Sequence, residues 1–425
     1  MQRYYPRVAD GVLSFKLRSC GAVQIKGPKW CGKSTTAEQA AGSAAYLQGR
    51  YSSGQQVELA RNAPELFLAG ETPRLVDEWQ IVPFIWDAIR FEVDHRGENG
   101  QFILTGSATP LDDKGDEREH SGIGRITPMT MRPMTLWESE DGTGGVSLTA
   151  LFREEGLQPA QCELTLTDYA RLTCRGGWPS VLGADEEVAL EQAYIFYDGL
   201  VNEDINRVFK NTHNPERIRR VLRALARATA SQTSLRELRK DMLANESATL
   251  SEETVAAYVN ALERLYVVEN LKAWNPNLRS KTAVRSSNTR HFVDPSIGCA
   301  ALGIGPADLI ADLKTFGLFF ESLCVRDLRV YAEALRGEVR HYRDARGLEA
   351  DAIIHLRDGS WGAVEVKLGS LEAIELGAAH LKKLAASVDV SRMKPPSFLM
   401  VLTATQYAYQ REDGVCVVPL GCLEL

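Results

Sequence analysis

Several things are missing from this sequence, and each absence narrows what the protein can be. No apolar run approaches the ~18–20 residues needed to span a bilayer, so a membrane protein is not expected. The opening residues, MQRYYPRVADGVLSFKLRSC, lack the apolar core and small-residue cleavage site of a secretory signal. The cysteines at 20, 31, 162, 174, 299, 324, 416 and 422 form no CxxC pair and have no nearby His partners. That speaks against a disulfide framework or a zinc site, and it fits a reducing cytoplasm. No internal repeat and no low-complexity linker is present. Positive charge is also short: the net charge is −7, so the whole molecule is not a nonspecific polyanion binder.

What is present suits a soluble globular chain, with 44% hydrophobic and 25% charged residues. At 425 residues it exceeds what one core can organise, and about two to four domains are expected. Residues 21–26 (GAVQIK) read as a short strand, followed by a Gly-rich turn and a helix-compatible STTAEQAAG. Further strand candidates at 44–48, 74–77 and 101–105 alternate with helical patterns at 55–69 and 82–94. This alternation predicts a parallel sheet covered on both faces. A polar, Gly-containing stretch from 112 reads as a loop, and the DGTGG at 141–145 marks the expected end of the first domain.

The turn GPKWCGKS satisfies every fixed position of G-x4-G-K-[ST], and it lies between a strand and a helix as that motif requires. Gly27 and Gly32 let the backbone curl so that N–H groups point at phosphate oxygens. Pro28, Lys29, Trp30, Cys31 and Thr35 complete the expected phosphate-binding segment. Lys33 supplies a point charge to the β- and γ-phosphates, and Ser34 offers a hydroxyl to Mg²⁺. The strand RLV ends in Asp77 and Glu78. Asp77 is the expected second metal contact and Glu78 the group that polarises an attacking water. The strand FILT leads to Thr105 and Ser107, either of which could reach the γ-phosphate, with Ser107 preferred. Arg125 and Arg132 follow the polar loop. Either is a candidate arginine finger, within the chain or from a neighbouring subunit, and Arg125 is the first choice.

Taken in order, GPKWCGKST, RLVDEWQ, FILTGS and GRITPMTMRPMTLWE resemble the prokaryotic AAA+-type ATPases that carry an uncharacterised C-terminal domain. RGGWPS at 175–180, FFESL at 319–323 and the spaced YRD, EAD and VEVK of 342–367 extend the resemblance over essentially the whole chain. Trp30 and Cys31 depart from it, since that family usually has a polar and a small aliphatic residue there. The resemblance implies an α/β P-loop (AAA+-like) ATPase domain over 1–148 and a helical region over 149–214. It further implies a winged-helix-like region over 215–290 and a PD-(D/E)xK nuclease-like domain over 291–425. It also implies ATP with Mg²⁺ as the nucleotide and metal.

Two later regions bear on partners. Residues 205–290 hold sixteen Lys or Arg against eight Asp or Glu, a local excess of +8 in an acidic chain. That is the electrostatic footprint of a phosphate-binding face. Three helices are expected there, at about 216–230, 234–243 and 251–265, with Ser251 capping the third and YVVENLKAW supplying wing strands. Glu252 and Glu253 at the start of the third helix oppose phosphate contact. In the last section AIIHLRDGSWGAVEVK reads as a hairpin. Period-two alternation puts Glu365 and Lys367 on one face, antiparallel pairing brings Asp351 beside them, and Glu321 is a candidate fourth member. Two carboxylates and a lysine on one patch suit metal-assisted phosphodiester hydrolysis, while His380, Lys382 and Lys383 read as a solvated face.

Three readings follow: an ATPase controlling DNA-handling domains, an ATP-gated nuclease, and an ATP-dependent switch whose C-terminal part binds without cutting. The expected partners are ATP, double-stranded DNA, and a second copy or another protein.

Overall fold

The structure is a computed structural model that describes residues 3–48, 54–106, 120–205, 214–243, 250–276 and 287–425. The chain divides into two compact units, Met1–Arg132 with Arg264–Tyr266, and Pro133–Glu263 with Val267–Leu425.

The first unit is a P-loop α/β fold. Its elements run α1 (Val8–Ser19), β1 (Ala22–Lys26), α2 (Lys33–Ala40), β2 (Ser43–Tyr46), α3 (Gln55–Asn62), α4 (Pro64–Phe67), β3 (Arg74–Asp77), α5 (Ile85–Arg96), β4 (Phe102–Thr105) and β5 (Ile126–Thr130). The one helix expected over 55–69 is two, because Pro64 cannot continue α3 and instead starts α4 at its first position. The sheet order is β2-β3-β4-β1-β5, and every adjacent pair is parallel. All four residues of β4 are buried, as expected of a central strand of a parallel sheet. On α5, Ile85, Ile89 and Val93 recur at helical spacing and face the core with Trp86. The helix ends at Gly97, whose left-handed backbone lets its N–H reach the Val93 carbonyl at 3.1 Å.

The second unit is built on a mixed sheet of seven strands. These are β7 (Ala160–Gln161), β8 (Gly337–Arg343), β9 (Glu349–Leu356), β10 (Trp361–Lys367), β11 (Phe398–Thr403), β12 (Tyr407–Gln410) and β13 (Cys416–Pro419), in the order β7-β12-β13-β11-β10-β9-β8. β8, β9 and β10 form an antiparallel meander, while β11 is parallel to both β10 and β13. A separate pair joins β6 (Val146–Ser147) to β14 (Leu423–Glu424).

The boundaries differ from those expected. The first unit ends at Arg132 rather than 148. Residues 133–148 belong to the second unit because β6 pairs with the C-terminal β14 and the Leu136 N–H donates to Asp327 at 3.0 Å. The expected divisions at 214 and 290 do not separate compact units either. The RGGWPS segment at 175–180 shows why. The Gly177 N–H donates to Asp294, and Trp178 Nε1 donates to Ser296 Oγ at 3.1 Å. The buried Arg326 guanidinium bonds both Asp294, at 2.9 Å, and Asp327, at 2.8 Å. A Cβ on Gly177 would lie 2.2 Å from the Met134 carbonyl oxygen, so only glycine fits this crossing.

Helices at Pro215–Arg227, Leu235–Leu243 and Glu252–Arg264 occupy the middle region, and Ser251 Oγ accepts the Thr254 N–H as a cap. The segment around Val268–Leu271 bridges antiparallel to Thr289–Phe292. Among the described residues no helix is long and apolar enough to cross a membrane.

Candidate functional site

In the first unit, β1 delivers the chain into a loop that the sheet edge shapes directly. Gly27 has φ 151°, and a Cβ there would stand 2.0 Å from the Met131 carbonyl oxygen. Gly32 turns the chain into α2 with φ 97°. Trp30 also takes a left-handed backbone, φ 64°, and lies 46% exposed. The bulky residue is therefore accommodated at the surface, with local strain of about 1–2 kcal/mol. Cys31 is buried, its thiol against the Met131 carbonyl at 3.6 Å.

Lys33 is buried, and its Nζ donates back across the loop to the carbonyls of Gly27 (3.1 Å) and Pro28 (2.6 Å). No carboxylate among the described residues pairs with it. Ser34 Oγ donates to Asp77 Oδ1 at 2.6 Å. Thr105 Oγ1 donates to the same carboxylate oxygen, which follows from Asp77 and Thr105 being register partners on adjacent parallel strands. Because β4 lies between β1 and β3, Thr105 stands between the loop and Asp77. Glu78 follows with a left-handed backbone, φ 56°, which swings its side chain out of the strand line, and Gln80 Nε2 donates to its carboxylate. Ser107 lies outside the described residues.

Of the two arginines considered as a finger, within the chain or across a subunit boundary, Arg125 does not lie beside the loop of its own chain. Arg125 precedes β5, whose first residue Ile126 pairs with Ala22 at the start of β1, while the phosphate loop leaves the far end after Lys26. At ~3.3 Å per residue that is the opposite edge of the sheet, roughly 15 Å away. There Arg125 donates to Asp94 at 2.8 Å, an exposed pair. Arg132, two residues beyond the other end of β5, is the one beside the loop.

Two contributors were not foreseen. Arg7 is buried and its guanidinium bonds the carbonyls of Cys31 (2.9 Å) and Arg132 (2.8 Å), bracing the loop from behind. The Tyr4 hydroxyl joins Asp10 to Thr36 on α2. Neither residue belongs to a spaced motif, so no signal marked them.

Serine and threonine hydroxyls, one carboxylate and a cradled lysine are hard oxygen donors and an anion partner, a set that fits Mg²⁺ and a phosphate chain. Among the described residues no group of three or more His, Cys, Asp or Glu is arranged to hold a metal ion by itself. The sequence offers a second candidate in the other unit.

That second candidate is the patch on β9 and β10. Its four residues do come together. The register Val364↔Ala352 sets Glu365 opposite Asp351, whose Oδ2 accepts the Val366 N–H at 2.7 Å. Lys367 Nζ lies 2.6 Å from Glu365 and 3.7 Å from Asp351. Burial pushes the Glu365 carboxyl up to about 8, with Asp351 adding to the rise and Lys367 opposing it. Burial likewise raises Asp351, against the pull of Lys367. Glu321, on the helix Leu313–Ala334, is raised well above the carboxylate range by burial and by Asp351. His380 Nδ1 lies 3.8 Å from Glu365, and Lys382 pairs with Asp413 on the exposed side. The ammonium of Lys367 offsets only part of the charge that the three carboxyl groups can carry, and burial, which raises all three, offsets the rest.

The basic island is partly neutralised in the same way. Arg219 pairs with Asp198 at 3.1 Å and Arg227 with Asp241 at 2.6 Å. Arg207, Lys210, Arg279, Lys281 and Arg285 lie outside the described residues.

Comparison with known proteins agrees with the fold. Residues 20–140 match the model described as an AAA domain, which agrees with the P-loop α/β fold of this stretch. Residues 166–308 and 316–423 match two models described as domains of unknown function, DUF8612 and DUF4143. No curated protein matches. Among solved structures, the Walker-type ATPase PABY2304 of Pyrococcus abyssi is similar at 16% identity and TM-score 0.44, covering 70% of this chain and 96% of that one. Cdc6p from Pyrobaculum aerophilum follows at 13% identity and TM-score 0.21, covering 76% and 97%. The Aeropyrum pernix ORC1 protein, solved in complex with DNA, matches at 13% identity and TM-score 0.23, covering 74% and 95%.

Proposed function

We propose that the AAA-type domain of this chain hydrolyses ATP with Mg²⁺, and that its nucleotide state controls the conformation of the second unit. The observation that carries the hydrolytic reading is the convergence of Lys33, Ser34, Asp77 and Thr105 at the C-terminal ends of β1, β3 and β4. Lys33 exchanges its two carbonyl partners for β- and γ-phosphate oxygens. The loop amides and the start of α2 add positive potential at the same place. Ser34 and Asp77 are the residues that would hold Mg²⁺, which supplies charge neutralisation on the phosphates. Glu78 orients a water and accepts its proton as the water oxygen bonds the γ-phosphorus. The bond from that phosphorus to the bridging oxygen breaks, leaving ADP and inorganic phosphate. We assign the offsetting of charge at the loop to Arg132, whose carbonyl Arg7 ties to the loop, and any role of Arg125 to action across a subunit boundary.

The test is steady-state phosphate release from wild type, Lys33→Ala and Glu78→Gln, with and without duplex DNA. Turnover in wild type and failure of both variants supports the reading, and stimulation by DNA supports control of a DNA-handling unit. A wild type that binds ATP but never turns over, with or without DNA, removes the enzymatic claim and leaves a nucleotide-held switch. Fluorescence anisotropy with duplex DNA at two salt concentrations addresses the basic island directly, since phosphate contacts must weaken with salt.

The juxtaposition of Asp351, Glu365 and Lys367 favours a second reading, phosphodiester cleavage in the C-terminal region. Lys367 is paired with Glu365 and Asp351, and no cleavage step is derived from the patch. Nicking of DNA by wild type but not by Lys367→Ala, in the presence of Mg²⁺, would establish that activity. Identical behaviour of the two without nicking leaves a binding role for the patch.

A further inference from the structure

We propose that Gln80 is a positioning residue for Glu78, an inference that rests on the hydrolytic role given to Glu78 above. Glu78 caps a short turn of 3-10 helix, Trp79–Ile81, and this turn carries the Gln80 side chain back toward the strand ends. The turn is anchored by Trp79, which is fully buried and packed against Trp86 with ring centroids 5.0 Å apart. From that anchor the Gln80 amide reaches two places at once. Its Nε2 donates to Glu78 Oε2. Its Oε1 side lies over Gly106, the residue that follows β4 and Thr105, where an added Cβ would stand 2.3 Å from Oε1 and 3.1 Å from Cδ. Gly106 is therefore a socket for this amide.

An ionised carboxylate only accepts hydrogen bonds, so the amide nitrogen must be the atom that faces it. A donor on Oε2 restrains the rotamer of Glu78, and with it the direction in which the carboxylate meets a water. The Oε1 atom is buried and has no hydrogen-bond partner among the described residues, so it is steric fit at Gly106 that holds the amide. Gln80 thus ties the direction of Glu78 to the end of β4, the strand whose Thr105 also holds Asp77. A glutamine merely solvated beyond a strand would need neither the donor contact nor the glycine socket.

The experiment compares wild type, Gln80→Ala, Gln80→Glu, Gly106→Ala and Glu78→Gln by kcat, by ATP dissociation constant, and by the pH dependence of kcat. Loss of a residue that orients a reacting group commonly lowers activity by about 10–100-fold. That drop is expected for Gln80→Ala with ATP affinity unchanged. Gly106→Ala should reproduce it, because the new methyl displaces the amide. Gln80→Glu sets a like charge beside Glu78, so the acid limb of the kcat profile should move to higher pH. Combining Gln80→Ala with Glu78→Gln should add nothing further. A kcat for Gln80→Ala within about twofold of wild type with the same pH profile overturns the proposal, and so does a loss of kcat matched by an equal loss of ATP affinity. If Gln80→Ala does not fold, the pH limb of the equally long Gln80→Glu decides alone, an unmoved limb counting against the idea. Failure of the hydrolytic reading looks different: wild type is then inactive, or Glu78→Gln is as active as wild type.

Discussion

Lys33 is buried and Lys367 half-buried, and both were expected from the sequence to act on phosphate, yet they are held in opposite ways. Lys33 is held by two backbone carbonyls, and its charge has no acidic counterpart among the described residues. Lys367 is held by Glu365 at 2.6 Å and Asp351 at 3.7 Å. A cation satisfied only by dipoles retains most of its field and gains from an arriving anion, whereas a cation between two carboxylates has already been neutralised. The difference leaves the P-loop with an unopposed positive charge suited to a polyphosphate and leaves the β9–β10 patch with a lysine already paired inside the cluster.

The strongest way to break this comparison is to remove each lysine. Lys33→Ala should lower kcat/KM for ATP by about 10²–10³-fold, read by phosphate release, because an electrostatic contact to the reacting phosphates is lost. Lys367→Ala should leave ATP turnover unaltered and lower stability instead. It leaves two buried acids facing one another, and denaturant melts should show a loss of about 2–3 kcal/mol, at the low end for a broken ion pair because the lysine is partly exposed. Equal effects of the two changes on ATP turnover would undo the contrast.

A smaller effect is expected from Thr105→Val, which removes one of two donors to Asp77 but keeps the shape. A loss of about 1 kcal/mol, or roughly fivefold in kcat/KM, should appear together with a higher Mg²⁺ requirement. No change would mean that Ser34 alone sets the orientation of Asp77.

The carboxylates of the patch give a pH signature that the P-loop lacks. The Glu365 carboxyl is raised from 4.5 to about 8 in the fold. Between those values the folded protein holds a proton that the unfolded chain has released, so this contribution to stability is full below the lower value and is lost as pH rises through the upper one. Melting temperatures of wild type should therefore fall relative to Glu365→Gln across that window, and parallel curves would remove the assignment. The smallest effect belongs to Arg125→Ala, expected to leave turnover of dilute protein unchanged. A change that appears only as concentration rises would point to action across a subunit boundary.

Much of the P-loop was legible because it is local. Gly27, Gly32, Lys33 and Ser34 lie within one turn and one helix start, and the chemistry of phosphate binding dictates their spacing. The Asp77–Glu78 pair was legible as acids ending an apolar strand. The hairpin at 351–367 was legible from alternation, and its side chains meet as alternation requires. The place of Arg125 was not legible, because it depends on which end of β5 the residue occupies, and nothing within the GIGR segment encodes strand register against β1. The division near 148 misled for a similar reason: a Gly-rich stretch marks a turn, but pairing of β6 with β14 at the far end of the chain decides which unit owns it.

The sequence by itself determined a P-loop, the acids that follow it, the helical spacing of the middle region and the hairpin that carries Asp351, Glu365 and Lys367, since each depends on neighbours within a few positions. Only the tertiary structure decided that Arg7 braces the loop, that the Gln80 amide lies against Gly106 and meets Glu78, and that Lys367 pairs with Glu365 and Asp351. These outcomes turn on sheet order and on the distance between groups far apart in the chain, and such distances are fixed by packing and not by local propensity.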